Sequence, residues 1–213
     1  MYTKIKDHCE ALIAHFDTIS AERKNVLLKI SNYIRTKMEA GLSVNLVYIC
    51  THNSRRSHFG QVWAEVAAAY YEFNNVNTFS GGTEATAFNP NAIDALIKTG
   101  FEVTQKSEGP NPHYLLQRGE DQFTLCFSKV YDDEINPTSN FAAIMTCSDA
   151  EQNCPFIPGV ELRISTTYDD PKVFDDTNQQ DEKYVERSNQ IALECLFVFS
   201  QINNSFRRGE HNS

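Results

Sequence analysis

The sequence predicts an α/β protein: a parallel sheet with helices on both faces, preceded by an N-terminal helical extension. Three observations carry this. Short β-rich runs, Val44 to Ile49, Asn75 to Ser80, Phe141 to Thr146 and Val160 to Ser165, alternate with segments of helical spacing, and such alternation calls for parallel strands joined by crossover helices. The residues before Gly41 show helical spacing alone. A chain of 213 residues with 41% hydrophobic content can bury a full core, and fits one domain with an appendage better than two domains.

Taken in order, residues 4 to 16 and 20 to 40 place apolar side chains at helical spacing (Ile5, Cys9, Leu12, Ile13, Phe16; Val26, Leu27, Ile30, Tyr33, Ile34), with Ser20 as an N-cap, and read as a helical hairpin. Gly41 to Ser43 ends that pattern, which sets an extension at residues 1–42 and the main domain at 43–213. Arg56 to Phe73 reads as a helix, and so does Pro90 to Thr99, opened by Asn89 as cap with proline at the first position. Phe101 to Thr104 is a short strand. The stretch at about 107–140 is rich in Gly, Pro, Asn and Asp and reads as an insertion or mobile lobe, with Gln122 to Phe127 able to form an extra strand or hairpin arm. Asp181 to Ile202 closes the chain as an amphipathic helix.

A formal net charge of −9 argues against nucleic acid as a partner, because phosphate backbones are held by clustered Lys and Arg. Any anion site in this chain must be locally electropositive. The N-terminus is too polar for a signal peptide and no run is long enough for a membrane span, so the expected location is cytoplasmic. Six scattered cysteines, Cys9, Cys50, Cys126, Cys147, Cys154 and Cys195, do not make a disulfide scaffold in a chain this long and point to buried or reactive thiols. Cys9, Cys126 and Cys195 sit in apolar patterns and read as core thiols.

The segment VYICTHNSRRSHFGQVWA puts Cys50 at the carboxyl end of a strand and Arg56 at the start of a helix. Open α/β folds bind ligands there. A loop wrapped into a helix N-terminus offers backbone N–H groups and a positive dipole end to a tetrahedral oxyanion, and the same field favours the nucleophilic thiolate. Arg56 supplies a planar fork for two oxygens and Arg55 adds positive charge. Ser57 is placed to hydrogen-bond the Cys50 sulfur, and the Asn53 side chain to brace the loop. The oxyanion-binding set is therefore Thr51, His52, Asn53, Ser54, Arg55, Arg56 and Ser57, with no metal and no cofactor. Asp170, on a proline-stiffened loop after the last strand, is a candidate acid for a leaving group.

The loop Cys50-Thr51-His52-Asn53-Ser54-Arg55-Arg56-Ser57 resembles the phosphate loop of the low-molecular-weight protein tyrosine phosphatase superfamily, a resemblance that extends over about residues 44 to 205. Phe79-Ser80-Gly81-Gly82, Asn89-Pro90 and Asp169-Asp170-Pro171 match as well. The resemblance implies a three-layer α/β/α fold around a four-stranded parallel sheet, nucleophilic attack by Cys50 on phosphorus or arsenic, and Asp170 as general acid. Within it, Ile144 to Pro155 resembles the redox segment of thioredoxin-coupled arsenate reductases, with Cys147 and Cys154 flanking an acidic stretch whose composition suits looping out. That implies a relay. Cys50 attacks arsenate, Cys147 attacks the Cys50 sulfur and releases arsenite, and Cys154 attacks Cys147 to export the disulfide to thioredoxin. The alternatives are a phosphatase acting on phosphotyrosine through a Cys50 phosphocysteine, and an inactive phospho-ligand or redox sensor.

Departures from the family pattern are His52 where glycine is usual, Arg55 where a small, apolar or cysteine residue is usual, and Gln61 where the reductases have a glutamate that helps hold potassium. Arg55 would favour a more highly charged substrate, and His52 calls for a different backbone geometry. Tyr168 is placed to stack on a phosphotyrosine ring, whereas His58, Trp63, Tyr70 and Tyr71 read as packing residues. The N-terminal helices would cover the fold or build an oligomer.

Overall fold

A computed structural model of the chain describes residues 1–153 and 156–202. The elements are α1 (Thr3–Ile13), α2 (Ala21–Glu39), β1 (Val44–Cys50), α3 (Arg56–Tyr70), β2 (Val76–Gly82), α4 (Pro90–Thr99), β3 (Glu102–Gln105), β4 (Tyr114–Gly119), β5 (Gln122–Cys126), β6 (Phe141–Met145), α5 (Ser148–Asn153), β7 (Val160–Ser165) and α6 (Gln180–Ser200). The central sheet has the order β2-β1-β6-β7 with every pairing parallel, so the expected four-stranded parallel sheet is present.

Alternation along β1 divides the core. Leu46 and Tyr48 point into the larger cluster, built with α3, α6 and the N-terminal helices, while Val47, Ile49 and Cys50 point into a smaller one with Ala143, Met145, Cys147 and Ala150 of the α5 side. Helices thus cover both faces, thickly on one and thinly on the other. Gly60 lets α3 lie against β1: a Cβ there would come 2.2 Å from the Tyr48 ring.

Helix starts follow their caps. Ser20 Oγ accepts from Arg23 N at 3.1 Å, and Asn89 Oδ1 accepts from Asn91 N at 2.9 Å ahead of Pro90. The extension lies on α6: Ser31 Oγ donates to the Val198 carbonyl at 2.8 Å, and Lys37 Nζ pairs with Glu161 of β7 at 2.8 Å.

The strand expected at Phe101 to Thr104 forms as β3 but leaves the central sheet and pairs antiparallel with β4, which pairs antiparallel with β5. Its burial pattern shows why: Val103 alone is half-buried while Glu102, Thr104 and Gln105 are exposed, too polar for a strand covered on two faces. The stretch from Ser148 to Asn153, expected to suit looping out, is helical here as α5. Its start is satisfied locally, with Ala150 N donating to Cys147 Sγ at 3.4 Å and Glu151 N to the Cys147 carbonyl at 3.1 Å.

Candidate active site

β1 ends at Cys50 and α3 begins at Arg56, so the intervening loop lies at the carboxyl edge of the sheet. Cys50 is 4% exposed, and its Sγ lies 3.0 Å from Ser57 Oγ. Asn53 Nδ2 donates to the same Ser57 Oγ at 2.8 Å, so the hydroxyl is left to donate toward the sulfur. Asn53 has φ 43°, a left-handed conformation that asparagine tolerates, whereas His52 stays at negative φ. The left-handed turn of the loop thus falls on Asn53, and His52 needs no glycine-like backbone.

Neighbouring segments hold the loop from outside. Thr83 N donates to the Cys50 carbonyl at 3.1 Å, Glu84 N to the Thr51 carbonyl at 2.8 Å, and Asn89 N to the Ser54 carbonyl at 3.0 Å. Gly82 is required by closeness: a Cβ there would meet the Thr51 carbonyl oxygen at 2.6 Å and Asn53 N at 2.7 Å. Ser128 Oγ donates to the His52 carbonyl at 2.9 Å and Lys129 N donates to Asn53 Oδ1 at 2.9 Å. Nothing in the sequence marks Ser128 and Lys129 for this, because neither belongs to a motif and both lie 76 positions from the residues they hold.

Cys50, His52, Ser54, Arg55, Arg56 and Asp170 line one small pocket. Arg56 Nη1 donates to the Tyr168 carbonyl at 2.8 Å and Nη2 to Asp170 Oδ2 at 2.7 Å, while its buried Nε has no partner. Arg56, with its Nε unpartnered, lines the pocket beside Cys50, so it has a donor in reserve for an anion there. Asp170 is fixed from a second side by Lys172 N at 3.0 Å. Arg55 Nε donates to Tyr184 Oη at 2.8 Å, and its guanidinium lies 3.9 Å from Asp170 and 3.7 Å from Asp175. Its charge is thus matched by carboxylates at the pocket wall. His52 reaches outward, 3.8 Å from Glu84.

Cys147 is 1% exposed, shares the smaller apolar cluster with Cys50, and its Sγ lies 3.3 Å from Thr51 Oγ1. Cys154 lies outside the described residues. Cys9, Cys126 and Cys195 are buried, and burial pushes each thiol up to about 12, so they remain protonated and inert.

Tyr168 is not a stacking residue at the mouth. It is 7% exposed, its hydroxyl donates to Glu194 Oε2 at 2.7 Å, and its apolar ring belongs to the larger core, where burial costs less than at an aqueous rim. His58 and Trp63 are fully buried; His58 sits against the Phe88 ring at 4.0 Å and Trp63 Nε1 donates to Ser188 Oγ at 2.8 Å. Gln61 is buried with its Oε1 unpartnered.

No family model matches the chain. Among curated proteins, the arsenate reductase of Staphylococcus aureus strain NCTC 8325 is 29% identical over 126 residues, 59% of this chain and 77% of that protein. Arsenate reductase 2 of Staphylococcus epidermidis is 27% identical over the same length. Among solved structures, an arginine phosphatase from Geobacillus stearothermophilus superposes with TM-score 0.52 at 13% identity, covering 80% of this chain and 99% of that one. A low molecular weight phosphotyrosine phosphatase from Vibrio cholerae O395 gives TM-score 0.51 at 13% identity, over 79% and 100%. The fold, three layers around a four-stranded parallel sheet, is the one seen in these low-molecular-weight phosphatase structures. By sequence, the chain is similar to arsenate reductases over 59% of its length.

Proposed function

We propose that the chain is a thiol-dependent arsenate reductase, with Cys50 as nucleophile, Cys147 and Cys154 as the relay, and thioredoxin as the reductant's carrier. The observation that carries this reading is the contact of Cys147 Sγ with Thr51 Oγ1 at 3.3 Å, which sets a second thiol beside the residue following the nucleophile. The Cys50 thiolate attacks arsenate, an S–As bond forms and water leaves. The Cys147 thiolate then attacks the Cys50 sulfur, so that an S–S bond forms, the S–As bond breaks, and its electron pair reduces arsenic as arsenite departs. Cys154 next displaces Cys50 from Cys147, and thioredoxin reduces the resulting disulfide. Arg56 and the loop N–H groups would hold the arsenate oxygens throughout, with Ser57 steadying the departing and attacking sulfur.

Pure protein given arsenate, thioredoxin, its reductase and NADPH should oxidise NADPH, and Cys147→Ser should reduce that rate to background. Undiminished turnover in the variant would overturn the relay.

The placement of Asp170 favours a second reading, a phosphatase. Its carboxylate lines the same pocket as Cys50, the position an acid for the leaving oxygen of a phosphate monoester would take. Hydrolysis of p-nitrophenyl phosphate that is lost in Cys50→Ser and depressed in kcat in Asp170→Asn would support it, and equal rates in wild type and Cys50→Ser would remove it.

A further inference from the structure

The two groups that orient Arg56 lie on one short segment: the Tyr168 carbonyl takes Nη1 and the Asp170 carboxylate takes Nη2. That segment continues from β7, with Thr166 N donating to the Met145 carbonyl at 2.9 Å and Tyr168 N to the Thr146 carbonyl at 3.1 Å. Its other anchor is a buried ionic cluster. Tyr168 Oη donates to Glu194 Oε2 at 2.7 Å, and Glu194, on α6, is 4% exposed. Arg23, in the first turn of α2, donates from Nε to both oxygens of Glu194 at 2.9 and 3.0 Å and from Nη2 to Oε2 at 2.8 Å. The same Nη2 donates to the Thr166 carbonyl at 3.0 Å, and the guanidinium lies 4.8 Å from the centre of the Tyr168 ring. Arg23 therefore touches the segment at its ring face, at its backbone and through Glu194.

We propose that Arg23 is a positioning residue for the oxyanion site, and that the N-terminal extension completes the site through the chain Arg23, Glu194, Tyr168, Arg56. A buried carboxylate is tolerated when it is paired and hydrogen-bonded. Glu194 is held on both oxygens by Arg23 and on one by Tyr168, so removing Arg23 leaves the phenol as its chief partner. Tyr168 must then shift to shield that charge, and its carbonyl moves with it. Burial, reinforced by the Glu194 charge, keeps the phenol a protonated donor at neutral pH. Arg56 loses its register over Cys50 without any substitution inside the pocket. Arg23 touches no substrate.

The inference rests on reading the Cys50 loop as an oxyanion site, and the experiment separates the two. Alkylation of Cys50 by iodoacetamide is followed by mass spectrometry in increasing orthophosphate, for wild type and for Arg23→Met, Tyr168→Phe and Lys37→Met. Lys37 also ties α2 to the body of the protein, through Glu161, and makes no contact in this chain of residues. In wild type, phosphate should protect Cys50; absence of protection there would overturn the oxyanion reading itself. Arg23→Met should raise the phosphate needed for half-protection by about tenfold, since misplacement of a binding group by ~1 Å can cost up to ~100-fold. Tyr168→Phe, which keeps the ring and backbone, should move it in the same direction, and Lys37→Met should leave it unchanged. Wild-type protection in folded Arg23→Met, or in Tyr168→Phe should Arg23→Met not fold, would overturn the positioning role. An equal loss in Lys37→Met would overturn it too, because generic docking of the extension would then suffice.

Discussion

Asn53 meets two demands with one side chain. It turns the loop at φ 43°, and its amide ties Ser57 on one side to Lys129 N on the other. Alanine would keep neither tie and would be strained in the left-handed region. Asn53→Ala is therefore expected to destabilise the protein by about 2–4 kcal/mol, summed from two lost buried hydrogen bonds and the backbone strain, as read by urea unfolding. His58, in the first turn of α3, bears on pH instead. Burial, aided by the nearby Lys129 charge, holds its imidazole well below the ordinary 6.5, so the folded protein keeps it neutral. The unfolded chain takes up that proton as pH falls through 6.5, and the folded chain does not, so His58 removes stability as pH drops below 6.5. His58→Asn should flatten the dependence of unfolding free energy on pH between 6.5 and about 5, and an unchanged slope would count against a neutral His58.

At the scale of elements, what was legible was what is local. Ser20 and Asn89 announce α2 and α4 because a cap acts within its own first turn, and the strand-loop-helix at Cys50 announces itself because its residues are consecutive. The segment from Ser128 to Tyr131 announces nothing. It pairs beside β2 through Gly82 N to the Lys129 carbonyl and Tyr131 N to the Gly82 carbonyl, both at 2.9 Å, and it reaches the loop only through folding. Its four residues, Ser-Lys-Val-Tyr, are too few to show a period and carry no capping or turn signal. Ser128 Oγ accepts from Thr86 N at 2.7 Å and donates to the His52 carbonyl, joining three segments with one hydroxyl. Ser128→Ala should cost about 1–3 kcal/mol by leaving those backbone groups unpaired, a loss that thermal unfolding would register.

For the whole molecule, the alternation of elements fixes the parallel sheet and the sheet fixes where a ligand sits, which is why the Cys50 loop could be read in advance. Asp170 could be named from its Asp-Pro loop, but not as a partner of Arg56, and nothing marked the Tyr168 carbonyl, since both arrive from more than a hundred residues away and Glu194 and Arg23 stand behind them. Those connections tie the loop to β7, α6 and α2, so an anion bound on the loop, as proposed, would be held by much of the fold and would bind the folded state alone. Linkage then gives a global effect. At a phosphate concentration one hundred times its dissociation constant, folded-state binding adds about 2.7 kcal/mol. For a chain of this size that corresponds to a rise of roughly 5–10 °C in Tm. Arg56→Met removes the guanidinium fork and should abolish the phosphate-dependent part of the rise while sulfate-type salting effects persist, which a matched series in sodium chloride would subtract. A rise of equal size in Arg56→Met would mean that phosphate stabilises the protein from somewhere other than the Cys50 loop.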